Sequence, residues 1–219
     1  MAPISKINLS LALSRFEEIF KTLSTGEKRE VREVKSELWK MWRKSVQPFI
    51  KADKFLFRVM DEFDQIGDTY HQAAVLSGMD PFYLALADDH FGELKDFIFK
   101  NLQHPNGNVR EAARKTGKWL LISLSARINP LEYSSTRSSR NKEQKQENII
   151  IARKQYFEFL REIKKLAKQY GYYDYVFEDY GYDDYCCSEE VDKMKPCVLK
   201  TLILFLYTLK YGYCFDEIK

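Results

Sequence analysis

Cysteines, histidines and paired carboxylates are the residues of this chain whose types could do chemistry, and their spacing decides whether they do. The four cysteines are Cys186, Cys187, Cys197 and Cys214. A structural zinc site takes thiolates from Cys-x-x-Cys-like pairs. Adjacent Cys186 and Cys187 rarely both reach one tetrahedral ion, and no histidine lies near them. The three histidines, His71, His90 and His104, are scattered, with no serine or cysteine nucleophile that sequence pairs with them. Asp88-Asp89 suits the start of a helix better than acid–base work. No catalytic residue, cofactor or metal ligand is therefore expected, and the chain reads as non-enzymatic.

Charge offers more. Residues 171–192 hold eight acids and no Lys or Arg, and 170–192 hold seven tyrosines. An EF-hand loop with Gly181 at its sixth position needs an acid where Val176 stands, so specific calcium binding is not indicated. Asp174, Glu178, Asp179, Asp183 and Asp184 instead suggest an acidic, aromatic interaction patch for a basic partner or for the chain's own basic helix. The alternative is an ordinary loop whose tyrosines pack and whose acids face water. The preceding stretch, 133–170, carries ten basic residues against four acids. Within it Lys154, Arg161, Lys165 and Lys168 fall inside roughly 60° of one helix surface, flanked by Arg153 and Lys164. Arg29, Arg32, Lys40 and Arg43 make a similar line on an earlier helix. Such stripes can follow a phosphate backbone without reading bases, although Glu30, Glu33, Glu158 and Glu162 dilute them. A solvated helix face is the bland reading of each. The pI near 8.5 is below that typical of dedicated nucleic-acid binders.

These groups must be positioned by helices. Apolar residues recur with helical period almost everywhere. One stripe is Leu9, Leu13, Phe16, Phe20 and Leu23, closed by Ser24-Thr25-Gly26; another is Val31, Val34, Leu38 and Trp42, interrupted near Pro48. Phe55, Val59, Phe63 and Ile66 give a third, and Tyr70 to Leu76 a short fourth. Asp80-Pro81 looks like a further helix start, leading to Leu94, Phe97, Ile98 and Leu102. After the turn at 104–108, with Asn108 as the expected N-cap, a helix buries Val109, Ala112, Ala113, Trp119, Leu120 and Leu124. A polar connector is expected over 127–147. Beyond it a helix runs from about Asn148 to Tyr170 with Ala152, Tyr156, Phe159 or Leu160, Ile163 and Ala167 inward, and Lys195-Pro196 opens a last one. With 45% hydrophobic and 31% charged residues in 219, the chain can bury a substantial core. No signal peptide is evident at the N-terminus. The apolar run Cys197 to Tyr213, broken by Lys200 and Lys210, is short of a membrane span. Free thiols and the missing export signal point to the cytoplasm.

Leu102 to Leu124, LQHPNGNVREAARKTGKWLLISL, resembles a HEAT repeat. Pro105 stands in the inter-helix turn, Val109-Arg110 opens the second helix, and Ala112 follows where neighbours approach. The family's usual aspartate, five residues before the valine, is here His104, which puts the inter-repeat ladder in doubt. Lys195 to Leu202 is a fainter echo, Val198 lying 89 residues beyond Val109, about two periods of ~40–47 residues.

The expected fold is all-α, a HEAT-like helical-hairpin solenoid, with an irregular helical bundle as the alternative. Residues 1–126 would be hairpins including the HEAT-like unit, and 148–219 a C-terminal helical pair with the Tyr/Asp-rich loop, stacked on the same solenoid. The resemblance implies a scaffold that holds a protein partner. The alternative is a nucleic-acid binder, of which the DNA glycosylases built from HEAT-like repeats are a special form. No Trp–Asp–Arg constellation can be matched to that group, so no residue is carried over from it.

Overall fold

The computed structural model describes residues 17–44, 52–78, 90–128, 142–171, 198–199 and 201–206. Every secondary-structure element among them is helical. In chain order these are α1 (17–25), α2 (Lys28–Lys44), α3 (Ala52–Glu62) continued by a 3-10 turn (Phe63–Gln65), α4 (Thr69–Gly78), α5 (Phe91–Leu102), α6 (Gly107–Ile128), α7 (Lys142–Gln169), and a C-terminal segment at 198–206. They fall into two compact units, Met1–Ala87 and Asp88–Lys219. The α5–α6 hairpin packs with α7.

In the first unit the apolar stripes do what their spacing requires. Ile19, Phe20 and Leu23 of α1, Val31 and Leu38 of α2, Leu56 and Val59 of α3, and Ala74, Val75 and Leu76 of α4 are buried. Leu9, Leu13, Phe16, Pro48 and the side chains of Trp39, Trp42 and Phe55 lie outside the described residues, as does the helix start at Asp80-Pro81. Arg58 of α3 pairs with Glu17 of α1 and lies over the Phe20 ring. The turn between α1 and α2 is held from α4. His71 places Nε2 2.8 Å from the Gly26 carbonyl and Nδ1 2.9 Å from an Asp68 oxygen. The other Asp68 oxygen accepts the Tyr70 N–H at 3.0 Å, capping α4.

The second unit is built on the α5–α6 hairpin. Leu94, Phe97, Ile98 and Leu102 are buried on α5, and Val109, Ala112, Ala113, Leu120, Leu121 and Leu124 on α6. Trp119, expected inward, is only partly covered. The cap is Asn106 rather than Asn108. Its Oδ1 accepts the N–H groups of Asn108 (2.9 Å) and Val109 (3.4 Å), while its own N–H donates to His104 Nδ1. Asn108 is two residues too late, because α6 already begins at Gly107. Asn106→Ala is expected to lower stability by about 1 kcal/mol and Asn108→Ala by a few tenths at most, read from urea unfolding followed by helical circular dichroism. Arg110 is buried. Its Nη1 donates to the carbonyls of His104 and Pro105, both at 2.8 Å, and its Nε to Thr201 Oγ1 at 3.3 Å. One guanidinium thus satisfies the turn's carbonyls and ties the turn to the C-terminal segment.

α7 starts at Lys142, earlier than the apolar pattern announces. Its first turns are polar and exposed where described, so no apolar stripe marks them. Ala152, Tyr156, Phe159, Leu160, Ile163 and Ala167 face inward as expected. Phe159 meets Phe99 edge-on at 5.0 Å and Phe205 at 6.0 Å between centroids. Gly117 of α6 lets this cluster close, since a Cβ there would stand 2.7 Å from Phe205 Cζ and 3.2 Å from Phe159 Cζ. The helix ends at Gly171, whose φ of +93° is the left-handed turn that stops helices. Tyr170 beside it donates to Gln103 Oε1 at 3.0 Å, joining the end of α7 to the hairpin turn.

Candidate functional site

The outward face of α7 is the most distinctive surface among the described residues. At 100° per residue, the inward residues occupy one side and leave the other to Lys154, Arg161, Lys165 and Lys168, with Arg153 and Lys164 beside them. All six are exposed. None of the six makes an ion pair with a carboxylate among the described residues. Two large apolar side chains stand on the same face, Ile150 at 62% and Phe157 at 45% exposure. Phe157 touches the buried Tyr156 edge-on at 5.7 Å, so its ring is braced at one side and open at the other. Isolated surface apolar residues are ordinary. What distinguishes these two is their separation of seven residues, two helical turns, within a field of cations that have no carboxylate partner among the described residues.

Glu158 and Glu162, which by spacing alone dilute the basic stripe, have a different role in the structure. Lys95 of α5, with only 9% of its side chain exposed, reaches across to α7 and donates to Glu158 Oε1 at 2.7 Å and Glu162 Oε1 at 2.9 Å. Burial alone pulls the ammonium pKa down. The hydrogen bonds and charges of the two glutamates outweigh it and raise the pKa above its usual 10.5. Lys95 therefore stays charged. It draws both carboxylates to the α5 side of the helix, and the outward face keeps a single dominant sign. Glu147 is an exposed acid earlier on the same helix.

Of the earlier basic line, Arg29 and Arg32 are exposed on α2, and Arg29 pairs with Glu33 at 3.0 Å within its own helix. The side chains of Lys40 and Arg43 lie outside the described residues. The two lines belong to different units. Asp174, Glu178, Asp179, Asp183, Asp184 and the four cysteines also lie outside the described residues. No group of three or more potential metal ligands occurs among the described residues, and no helix there is long and apolar enough to cross a membrane. His90 approaches Glu93 at 3.3 Å, and His71 and His104 serve the turns given above.

The sequence does not mark Ile150 and Phe157 as an exposed pair, although a helical wheel puts both on the side of Lys154 and Arg161. The run Ile149-Ile150-Ile151 hides the signal, because three adjacent isoleucines fit any orientation. Lys95 gives a weaker sign: it sits between Leu94 and the Phe97-Ile98 pair, at the margin of an apolar stripe. No family model, curated protein or solved structure matches the chain.

Proposed function

We propose that this chain is a non-enzymatic, cytoplasmic scaffold of HEAT-like helical hairpins that holds an acidic protein partner on the outward face of α7. One observation carries the reading: Ile150 and Phe157 stand exposed among six cations that have no carboxylate partner among the described residues. Cations recruit and orient an acidic segment over a distance of about a Debye length. Apolar anchors at the centre of such a patch supply most of the binding energy. The HEAT-like reading is supported by the α5–α6 hairpin, where Val109 and Ala112 are buried and Arg110 clamps the turn that Pro105 shapes. A stack of helical hairpins serves such a role because it offers broad surfaces without a catalytic pocket.

The cationic row taken alone favours a second reading, a nucleic-acid backbone lying along α7. One titration separates the two. The purified chain is mixed with labelled 20-residue peptides combining Asp/Glu with Leu/Phe, with Asp/Glu-only peptides, and with single- and double-stranded oligonucleotides, and anisotropy is followed against salt. The mixed acidic–apolar peptides are expected to bind most tightly. Phe157→Ala should weaken them by about tenfold, the loss of one buried anchor. Lys154/Arg161/Lys165/Lys168→Glu should remove binding. Tight oligonucleotide binding that is indifferent to Phe157→Ala would establish the second reading instead.

A further inference from the structure

The spacing on α7 also says what shape the partner presents, and this step rests on the reading just given. Ile150, Phe157 and Lys164 succeed one another at seven-residue intervals, and so do Lys154, Arg161 and Lys168 on the adjoining line. Each interval is about 10.5 Å along the axis of a helix. An extended peptide places side chains on one face at about 6.7 Å and again at about 13.5 Å. It can seat on Ile150 but then misses Phe157. A phosphate backbone places charge every few ångströms along a strand, so it gains nothing from a 10.5 Å repeat and has no use for an isoleucine. A second α-helix carries its own residues i and i+7 at the same 10.5 Å, and two helices crossing at a shallow angle keep such rows in step. The order of the rows matters as well. The apolar pair lies beside the cations rather than between them and a core, which matches a helix with an apolar seam flanked by acids.

We infer that α7 is a docking helix for an acidic amphipathic α-helix of a partner protein, laid lengthwise so that its apolar seam covers Ile150 and Phe157 and its acidic flank meets Lys154, Arg161 and Lys168. Lys95 supports the match from behind. By holding Glu158 and Glu162 at 2.7 and 2.9 Å, it keeps like charges away from the incoming acids. The seam has two anchors, so the complex is reversible, and it weakens with salt in proportion to the exposed pairs.

The test uses the whole chain and two labelled 21-residue peptides of identical composition. In one, leucines and glutamates follow the heptad; in the other, the same residues are shuffled so that no apolar seam forms. The heptad peptide is expected to bind and to gain helical circular dichroism on binding, with the shuffled peptide weaker by at least about tenfold. Arg161→Glu should lose the heptad peptide, and a peptide whose facing glutamate is replaced by lysine should regain it. That reciprocal rescue would come only from helices aligned in register. Equal binding of the two peptides overturns the helical partner while leaving an acidic partner in place. Binding of neither overturns both. Circular dichroism of each variant alone checks that the fold is intact.

Discussion

Replacing Phe159 with alanine is expected to lower the stability of the second unit by about 3–5 kcal/mol, the range for emptying a fully buried aromatic site. Phe159 has no exposed surface, and its ring joins Phe99 of α5 to Phe205 of the C-terminal segment. The hole cannot readily be refilled. Gly117 faces it from α6 with no side chain to move in, and Phe99 and Phe205 both lose the ring they meet edge-on. Aromatic pairs of this geometry add about 0.5–1.5 kcal/mol each beyond the area they bury. The informative comparison is two residues away. Phe157, on the opposite side of the same helix, is 45% exposed, so Phe157→Ala is expected to shift the urea midpoint little, by less than about 1 kcal/mol. One phenylalanine should cost stability and spare binding, and the other the reverse. If Phe157→Ala unfolds the chain as readily as Phe159→Ala does, the outward face of α7 is not a free surface.

This pair also shows how much the amino-acid pattern reveals. Helical period identifies Phe159 as inward because Ala152, Tyr156, Ile163 and Ala167 share its side, and burial of a whole stripe is what periodicity measures. It is silent on which elements the stripe packs against. The grouping of the α5–α6 hairpin with α7 depends on long-range contacts with Phe99, Gly117 and Phe205, which leave no local trace. Boundaries fail for a related reason. The start of α7 at Lys142 lies in a polar run whose exposed turns need no apolar residues. The cap at Asn106 rather than Asn108 turns on a two-residue shift among three competent residues, Asn106, Gly107 and Asn108. The cationic half of the candidate site is visible in the spacing of Lys154, Arg161, Lys165 and Lys168. The arrangement of the acids is not, because Glu158 and Glu162 look like dilution until Lys95, sixty-three and sixty-seven residues earlier, is seen between them.

Lys95→Met tests that arrangement. Methionine keeps most of the unbranched stem that lies buried on α5 and removes only the charge. In a fully buried cluster, deleting one partner costs about 3–5 kcal/mol, because the remaining charges are stranded. Here the glutamate side chains are 38% and 39% exposed and can turn towards water, so the expected loss is smaller, about 1–2 kcal/mol. Neutralising the carboxylates as well, in Lys95→Met/Glu158→Gln/Glu162→Gln, should recover most of it, since a neutral cluster leaves no stranded charge. The pH dependence has a definite sign. The folded-state pKa of Lys95 lies above its ordinary 10.5, so its contribution is complete below that value and fades only as the pH rises through the folded-state pKa. The stability gap between the wild type and Lys95→Met should therefore be flat from neutral pH to about 10 and close only above it. A gap that closes between pH 7 and 9 would mean that Lys95 is not held charged by these two partners. The same variant reports on binding. Once released, Glu158 lies three and four residues from Arg161 and Lys154, and Glu162 three residues from Lys165, distances at which helix side chains pair. Lys95→Met should then weaken the acidic peptide although Lys95 never touches it, and the triple variant should restore affinity along with stability. Weakened binding that persists in the triple variant would show instead that Lys95 acts by placing α7 rather than by clearing its outward face of negative charge.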